Sequence, residues 1–251
     1  MSQPISEHSE ETRFSRSEVL ILILRGWGSD YKNWQEEIEF LENQGYRIYS
    51  PDLPGFGENP SPSKPWSIDE YANWVKEFCE KQNLSRFFLL GHSFGGAVAI
   101  KFLLKHFQEF KVEKLILVDS SGVRRKTLKK EILKKISGFA KKFFYSPIFN
   151  LHRKIFYKLF IRSDYPDTEG VMRETYLKII NEDLSDYLSR ISLPTLIIWG
   201  KKDKLTPVKD AYLMKEKIIG ASLEIIPDIG HNPHREAPEI LKDKVLNFLK
   251  Q

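Results

Sequence analysis

The chain of 251 residues contains a single cysteine, Cys79, and no long run of apolar residues. A lone cysteine cannot form an internal disulfide, so we expect a protein of a reducing compartment, the cytoplasm. A helix that crosses a bilayer needs about 20 mostly apolar residues, and the sequence offers no such stretch. The histidines and acids lack metal-ligand spacing, and no glycine-rich phosphate loop is complete. We therefore expect neither a metal nor any other cofactor.

Positive charge is concentrated in one segment. The net charge is +5, but residues 122–163 hold thirteen Lys and Arg against one acid, Glu131. The simplest interpretation is a solvated basic face above an apolar stripe that packs on the core. Attraction of an anionic substrate or an acidic surface stays open, as does shallow membrane association of a basic amphipathic helix. Nothing resembles a nucleic-acid-binding module, so we expect no nucleic-acid partner.

Short apolar runs alternate with longer helical patterns along most of the chain. Most of the runs are continuous, which is typical of strands that helices cover on both faces. This β–α alternation predicts an α/β fold with a doubly wound, mainly parallel sheet. The predicted strands are 19–24, 46–50, 86–90, 114–118, 195–199 and 222–226, and the predicted helices are 31–44, 67–82, 94–107, 207–219 and 238–250.

The alternation stops between residues 123 and 191, where no strand pattern occurs. Aromatic and aliphatic residues recur there at helical spacing, so we predict a helical cap inserted into the sheet domain. The predicted core then consists of residues 19–122 and 192–251. The first 18 residues are polar and acidic, and we expect a frayed leader there, not a signal peptide.

Residues 91–96 read Gly-His-Ser-Phe-Gly-Gly and lie between a predicted strand and a predicted helix. Gly-x-Ser-x-Gly on a strand-to-helix turn is the pattern of a nucleophile elbow, which exposes a serine hydroxyl at the end of a strand. A serine hydroxyl is a poor nucleophile unless a base lies beside it. Ser93 is therefore a candidate nucleophile, and its partners have to come from elsewhere in the chain.

Two later residues follow predicted strands in the order that Gly-x-Ser-x-Gly enzymes use. Asp203 comes after the strand at 195–199 and His231 after the strand at 222–226, so both are expected at the sheet edge where Ser93 lies. His231 would take the Ser93 proton, and Asp203 would orient the imidazole and stabilise its charged form. Asp119 also ends a predicted strand and stays open as an alternative acid.

These segments resemble the α/β-hydrolase superfamily over nearly the whole chain, in its serine esterase and ring-cleavage-product hydrolase branch with a helical cap. Residues 24–28 (Leu-Arg-Gly-Trp-Gly) resemble its oxyanion loop, and 51–57 its next strand-exit loop. Residues 199–203 resemble its acid loop and 230–236 its histidine loop. The resemblance implies that the backbone N–H groups of Trp27 and Phe94 would bind the oxyanion of a tetrahedral intermediate.

Two departures from the family pattern matter. Arg25 stands where the family commonly has histidine, and we expect it to change how the oxyanion loop is anchored. The family's antiparallel strand pair before the oxyanion strand is expected to be trimmed or absent. Of the other histidines, we expect His92 to give structural support, His234 to orient the histidine loop, and His106 to lie at the surface.

The resemblance implies a cofactor-independent serine hydrolase that acts on a small-molecule carboxylic ester through an acyl-enzyme on Ser93. The apolar and aromatic residues of the predicted cap indicate a small to medium apolar acyl or aromatic group. Hydrolysis of a lactone, or of a carbon–carbon bond in a ring-cleavage product, stays open on the same residues, as do acyl transfer and perhydrolysis. The alternative of another class is a ligand-binding protein that retains the three residues. The sequence does not indicate an oligomeric state.

Overall fold

The computed structural model describes residues 19–124 and 169–251. The predicted leader, residues 1–18, lies outside these ranges, and so does the expectation about a strand pair before the oxyanion strand. Residues 125–168 of the predicted cap also lie outside them. The described end of that predicted cap, from residue 169 to 191, is helical and contains no strand.

Strands and helices alternate through the described ranges as predicted. The strands are β1 Leu20–Leu24, β2 Arg47–Tyr49, β3 Arg86–His92, β4 Lys111–Val118, β5 Thr195–Gly200 and β6 Ser222–Ile226. The α-helices are α1 Gln35–Asn43, α2 Ile68–Lys81, α3 Phe94–His106, α4 Gly170–Ile179, α5 Val208–Lys217, α6 Pro233–Glu236 and α7 Pro238–Leu249. Two 3₁₀ helices, Tyr31–Trp34 and Ser185–Arg190, precede α1 and β5.

The six strands form one parallel sheet in the order β2-β1-β3-β4-β5-β6. The chain places β2 on one side of β1 and every later strand on the other, so the winding direction reverses between β1 and β3. This reversal confirms the predicted doubly wound sheet. Ligands of such sheets bind beyond the carboxyl ends of the strands at the reversal point. Ser93 directly follows β3 at that point.

Helices cover both faces of the sheet, which explains why its strands read as continuous apolar runs. In β3, Phe87 and Leu89 belong to the core on one face, and Phe88 and Leu90 to the core on the other. The first core is completed by α2, α3 and α5, and the second by α1 and α7. The inner strands β1, β3 and β5 are buried on both faces, so packing on two sides fixes their register.

Within the described ranges, every helix is too short or too polar to cross a membrane.

Candidate active site

The turn that carries Ser93 has the strained backbone of a nucleophile elbow. Ser93 has φ 51° and ψ −119°, which a residue with a side chain rarely adopts and which costs about 1–3 kcal/mol. The following helix starts so close to β1 that a Cβ on Gly95 would lie 2.0 Å from the carbonyl oxygen of Leu24. Glycine is therefore required at 95, and the turn holds the Ser93 hydroxyl above the sheet edge.

Ser93, His231 and Asp203 form a continuous chain of hydrogen bonds. The Ser93 hydroxyl lies 2.8 Å from Nε2 of His231. On the opposite side of the imidazole, Nδ1 lies 2.7 Å from Oδ2 of Asp203. Because Asp203 accepts from Nδ1–H, Nε2 is left as the acceptor of the Ser93 hydroxyl proton. The structure thus brings together the three residues that the sequence singled out.

Asp203 is held as a charged carboxylate. Its Oδ1 accepts the backbone N–H groups of Leu205 and Thr206 at 2.7 and 3.0 Å. The Thr206 hydroxyl lies 2.6 Å from its Oδ2. Burial opposes ionisation, but the hydrogen bonds and charge of His231 and the Thr206 hydroxyl keep the pKa of Asp203 below its usual value. The carboxylate is therefore available to stabilise a protonated His231.

Asp119 lies one strand away and does not take the place of Asp203. Its Oδ1 accepts the backbone N–H of Gly200 at 2.9 Å. The hydrogen bond to Nδ1 of His231 comes from Asp203, so the geometry favours Asp203 as the acid of the three-residue chain.

The oxyanion loop packs directly against the elbow. A Cβ on Gly26 would lie 2.9 Å from Nδ1 of His92 and 3.3 Å from Cβ of Ser93. Trp27 therefore lies beside Ser93, and its ring contacts that of Phe94 edge-on at 5.4 Å. Phe94 is the first residue of α3, where backbone N–H groups have no partner within the helix. Both residues thus adjoin the elbow, and their role as oxyanion donors stays a prediction.

Arg25 anchors the oxyanion loop in the place of the usual histidine. Its side chain is 3% exposed and pairs with Asp52 at 2.5 Å. The same guanidinium donates to the carbonyl oxygens of Ser29 and Ser50 at 3.3 and 3.2 Å. One planar fork thus ties the loop to itself and to the exit of β2. The expectation that this anchoring differs from that of a histidine stays a prediction.

His92 and His234 support the histidine loop from behind. Nε2–H of His92 donates to the carbonyl oxygen of His231 at 2.9 Å. Burial, with His234 and His231 close by, keeps the pKa of His92 well below its usual value, so the ring is neutral. His234 stacks on Trp34 at 4.5 Å, and its contact with His92 is edge-on at 4.8 Å. Both histidines are buried and support the loop from outside the hydrogen-bonded chain.

The model of the alpha/beta hydrolase fold family matches residues 19–169, which is more than half of the chain. The chain belongs to this family.

Named relatives match this hydrolase over almost its whole length. The AB hydrolase superfamily protein YisY of Bacillus subtilis is 26% identical, with 91% of this chain and 90% of the relative covered. A protein of Mycoplasma genitalium named as an esterase/lipase is 28% identical, with 92% and 88% covered. The solved structure of an esterase from Exiguobacterium antarcticum is 26% identical, has a TM-score of 0.72, and aligns over 93% of this chain and 92% of its own.

A cleft of about 1260 Å³ opens above Ser93 in this α/β hydrolase. One wall is aromatic, since the Trp27 ring contacts Phe56 at 4.8 Å and Tyr176 at 5.1 Å. Met172 of α4 extends that wall. Charged residues of both signs also line the cleft, among them Lys204, Arg235, Asp210 and Glu182. The cleft thus combines an aromatic wall beside the oxyanion loop with charged residues elsewhere in its lining.

One cluster in the described ranges has ligand atoms spaced as for a metal ion, namely Asp119, Asp203 and His231. Two of these ligand atoms, Nδ1 of His231 and Oδ2 of Asp203, are already hydrogen-bonded to each other. We therefore assign His231 and Asp203 to the hydrogen-bonded chain of Ser93.

Some contributors to the site have no signal in the sequence. The pairing of Arg25 with Asp52 joins residues from two strand exits, and only the register of β1 with β2 brings them together. Thr206 gives only the weak signal of lying three residues after Asp203. Tyr176 and Met172 lie in the region predicted as cap, where helical spacing alone could not show which face meets the cleft.

Proposed function

We propose that this protein is a serine hydrolase that cleaves carboxylic esters through an acyl-enzyme on Ser93. The observation that carries the proposal is the unbroken hydrogen-bonded chain from Asp203 through His231 to Ser93, at the floor of the cleft. The esterase and esterase/lipase names of the relatives agree with it.

Acylation follows from the positions of the three side chains. Nε2 of His231 takes the Ser93 proton as the serine oxygen attacks the ester carbonyl carbon. The positive charge that develops on His231 is stabilised by Asp203. The negative charge that develops on the carbonyl oxygen is bound by the N–H groups of Trp27 and Phe94, and one such donor typically contributes about 10²–10³-fold to the rate. The tetrahedral intermediate then collapses.

Collapse breaks the ester C–O bond, and His231 returns its proton to the leaving alcohol. The acyl group stays on Ser93. A water molecule in the place of the alcohol gives its proton to His231 and attacks the acyl carbon. A second tetrahedral intermediate releases the acid, and His231 returns the proton to Ser93. The proton transfers use Ser93 and His231, which already lie within hydrogen-bonding distance of each other, and Asp203 lies within that distance of His231.

The aromatic wall favours an apolar acyl group. Trp27 and Phe94 contribute both the oxyanion donors and ring faces, so the acyl chain of a bound ester would run along the rings of Phe56 and Tyr176. Burying an apolar chain there contributes about 25 cal/mol per Å² of surface removed from water. We infer a small to medium aliphatic or aromatic acyl group.

The test is a panel of nitrophenyl esters of graded acyl length, with lactones and a dienoate alongside. Turnover should be highest for one ester, and a fluorophosphonate should label Ser93. Ser93→Ala should lower kcat by about 10⁴-fold or more and abolish labelling, while the melting temperature changes little. If a lactone or the dienoate were turned over faster than every nitrophenyl ester, that compound class would replace the nitrophenyl-type ester as the proposed substrate. Absence of both turnover and labelling in the folded wild type would instead indicate a ligand-binding protein.

A further inference from the structure

Asp119 is a buried carboxyl that the proposed mechanism does not use. It directly follows β4, is 0% exposed, and has φ 42°. Its Oδ1 accepts the Gly200 N–H, but no N–H or hydroxyl group among the described residues reaches its Oδ2. A carboxylate oxygen of Asp119 lies within 4.8 Å of one of Asp203, so the neighbouring carboxyl is the group left for Oδ2, through a hydrogen bond that one of the two carboxyls has to donate.

Two carboxyl groups can share a hydrogen bond only if one of them carries a proton. Asp203 receives N–H donors from Leu205, Thr206 and His231, all of which favour its charged form. Asp119 receives one N–H donor, from Gly200. The proton therefore belongs on Asp119.

The surroundings of Asp119 favour the same assignment. Burial raises the pKa of Asp119 to about 9, and the negative charges of Asp203 and Glu236 act in the same direction. His231 is the basic group of this cluster, and its facing nitrogen is already bonded to Asp203. A buried carboxyl that faces two acids is stabilised by staying neutral.

We propose that Asp119 is a positioning residue whose carboxyl keeps its proton at neutral pH and donates it to Asp203, so that Asp203 stays aimed at His231. The catalytic part of this inference rests on the proposed function.

Asp203 has room for this bond. A carboxylate offers about four acceptor positions, and the N–H groups of Leu205, Thr206 and His231 occupy three. The Thr206 hydroxyl lies 2.6 Å from Oδ2 of Asp203 and 3.1 Å from the backbone carbonyl oxygen of Asp119, and its single proton can serve only one of them at a time. When that proton goes to the carbonyl oxygen, the Asp119 carboxyl fills the fourth position on Asp203. Asp119 thus ties the exit of β4 to the acid loop through Asp203 and through Gly200.

Two variants test whether position 119 needs a neutral hydrogen-bond donor or only a side chain that fits the backbone. Asp119→Asn keeps a neutral donor toward Asp203 and an acceptor for Gly200, and asparagine tolerates a positive φ. Asp119→Gly also suits that backbone but removes the whole side chain. We expect kcat on the best ester to stay within about threefold of wild type for Asp119→Asn and to fall about tenfold or more for Asp119→Gly, with KM within about twofold for both. Thermal melts show whether Asp119→Gly is folded.

The proton itself is measurable without turnover. In an infrared difference spectrum of wild type minus Asp119→Asn at pH 7, we expect the C=O stretch of a protonated carboxylic acid, shifted in D₂O. Carboxylate bands in its place would overturn the proposal. Above about pH 9, the wild type should lose activity relative to Asp119→Asn, because ionised Asp119 no longer donates to Asp203.

Activity gives a second way to contradict the proposal. If Asp119→Asn lost as much kcat as Asp203→Asn, Asp119 would be acting as a charged acid. If Asp119→Gly were folded and kept wild-type kcat, Asp119 would position nothing. If the wild type cleaves no ester, the proposed function is wrong, but the proposed proton on Asp119 is not affected. The infrared measurement still shows whether that carboxyl is protonated.

Discussion

Two loops flank Ser93, and they are held in place by different means. The oxyanion loop is tied by Arg25 to Ser50 and Asp52, 25 and 27 residues further along the chain. The histidine loop is tied largely to itself, since Glu236 accepts the backbone N–H groups of Gly230 and Asn232 at 2.7 and 3.1 Å. The first loop therefore depends on a buried charge and on tertiary contacts. The second has most of its backbone ties within itself, together with one from His92 to the carbonyl oxygen of His231.

The two loops meet at His92. Gly26 packs against one ring nitrogen of His92, and the other nitrogen holds the carbonyl oxygen of His231. Because His92 precedes Ser93 in the chain, the residue next to the nucleophile sets the spacing of both loops. A substitution that displaces either loop should therefore lower kcat even when the protein stays folded.

Each loop also has a buried titratable residue close to it in the chain, an acid after the oxyanion loop and a base within the histidine loop. Glu37 of α1, after the oxyanion loop, has its pKa raised to about 7, first by burial. His234 of α6, within the histidine loop, has its pKa lowered to about 4, again first by burial. Burial favours the neutral form in both cases. A rising pH should therefore destabilise the region around Glu37, and a falling pH the region around His234.

Breaking the charged anchor should have the largest effect. Arg25→Met removes the fork and leaves Asp52 without its cation, so the oxyanion loop loses its tie to β2. We expect kcat to fall about 100-fold, comparable to the loss of one oxyanion donor. The free energy of unfolding should fall by about 3 kcal/mol, as when one partner of a buried pair is removed. Ester kinetics and urea denaturation measure the two effects.

Arg25→Lys is the matched control, because it keeps the charge and removes the fork. An ammonium group cannot reach Ser29, Ser50 and Asp52 in one plane, so we expect an intermediate loss of kcat. Wild-type kcat in Arg25→Met would contradict the comparison, since the loop would then hold its position without a charged tie.

The contrast between the loops also explains what the sequence could predict. All six predicted strands and four of the five predicted helices agree with the structure to within a few residues, because continuous apolar runs and helical spacing are local signals. One predicted helix, at 31–44, is divided into the 3₁₀ helix Tyr31–Trp34 and α1. Periodicity does not distinguish these two helix types.

The site was predictable where it depends on strand exits. Ser93, Asp203 and His231 each follow a strand, so their meeting follows from the parallel sheet. The sequence favoured Asp203 over Asp119 through the acid-loop resemblance, but both follow strands, and the contact with His231 is what distinguishes them. The prediction that His106 lies at the surface is wrong. It is 7% exposed and bonds to Glu109 and Asn73, and this packing of α3 on α2 is a tertiary contact.

The histidine side should respond most clearly to acid. The pKa of His234 is about 4 in the folded chain and about 6.5 in an unfolded one. Below pH 6.5 the unfolded chain binds the proton more readily, so the stability of the wild type should fall as the pH drops from about 6.5 to 4. His234→Phe keeps the stacking on Trp34 and removes the proton site. We expect it to be more stable than wild type by about 2 kcal/mol at pH 5, measured by urea denaturation.

The same variant should differ little from wild type at pH 8, where His234 is neutral in both states. A residual acid slope is expected in His234→Phe, because the pKa of His92 is also depressed. An unchanged slope in the variant would mean that the stack on Trp34 holds a charged ring, and the acid-sensitive side of the comparison would then be wrong.

Glu37 should show the smallest effect, and the opposite sign. Its folded pKa of about 7 exceeds its ordinary value of 4.5, so the folded chain holds the proton more tightly between these values. Stability therefore falls as the pH rises from about 4.5 to 7 and stays reduced above it. Glu37→Gln removes the charge that alkali places between α1 and α7. We expect the variant to be more stable than wild type by about 1 kcal/mol at pH 8.5, or about 2–4 °C in melting temperature.

Glu36→Gln serves as the control for Glu37, because Glu36 is the exposed neighbour on the same helix. It should leave the melting temperature at pH 8.5 within about 1 °C of wild type, since surface substitutions rarely matter. At pH 4.5, Glu37→Gln should match wild type as well, because Glu37 is then largely protonated in the folded chain. An equal gain at both pH values would mean that Gln improves packing between α1 and α7, and the alkaline sensitivity would have to come from another group.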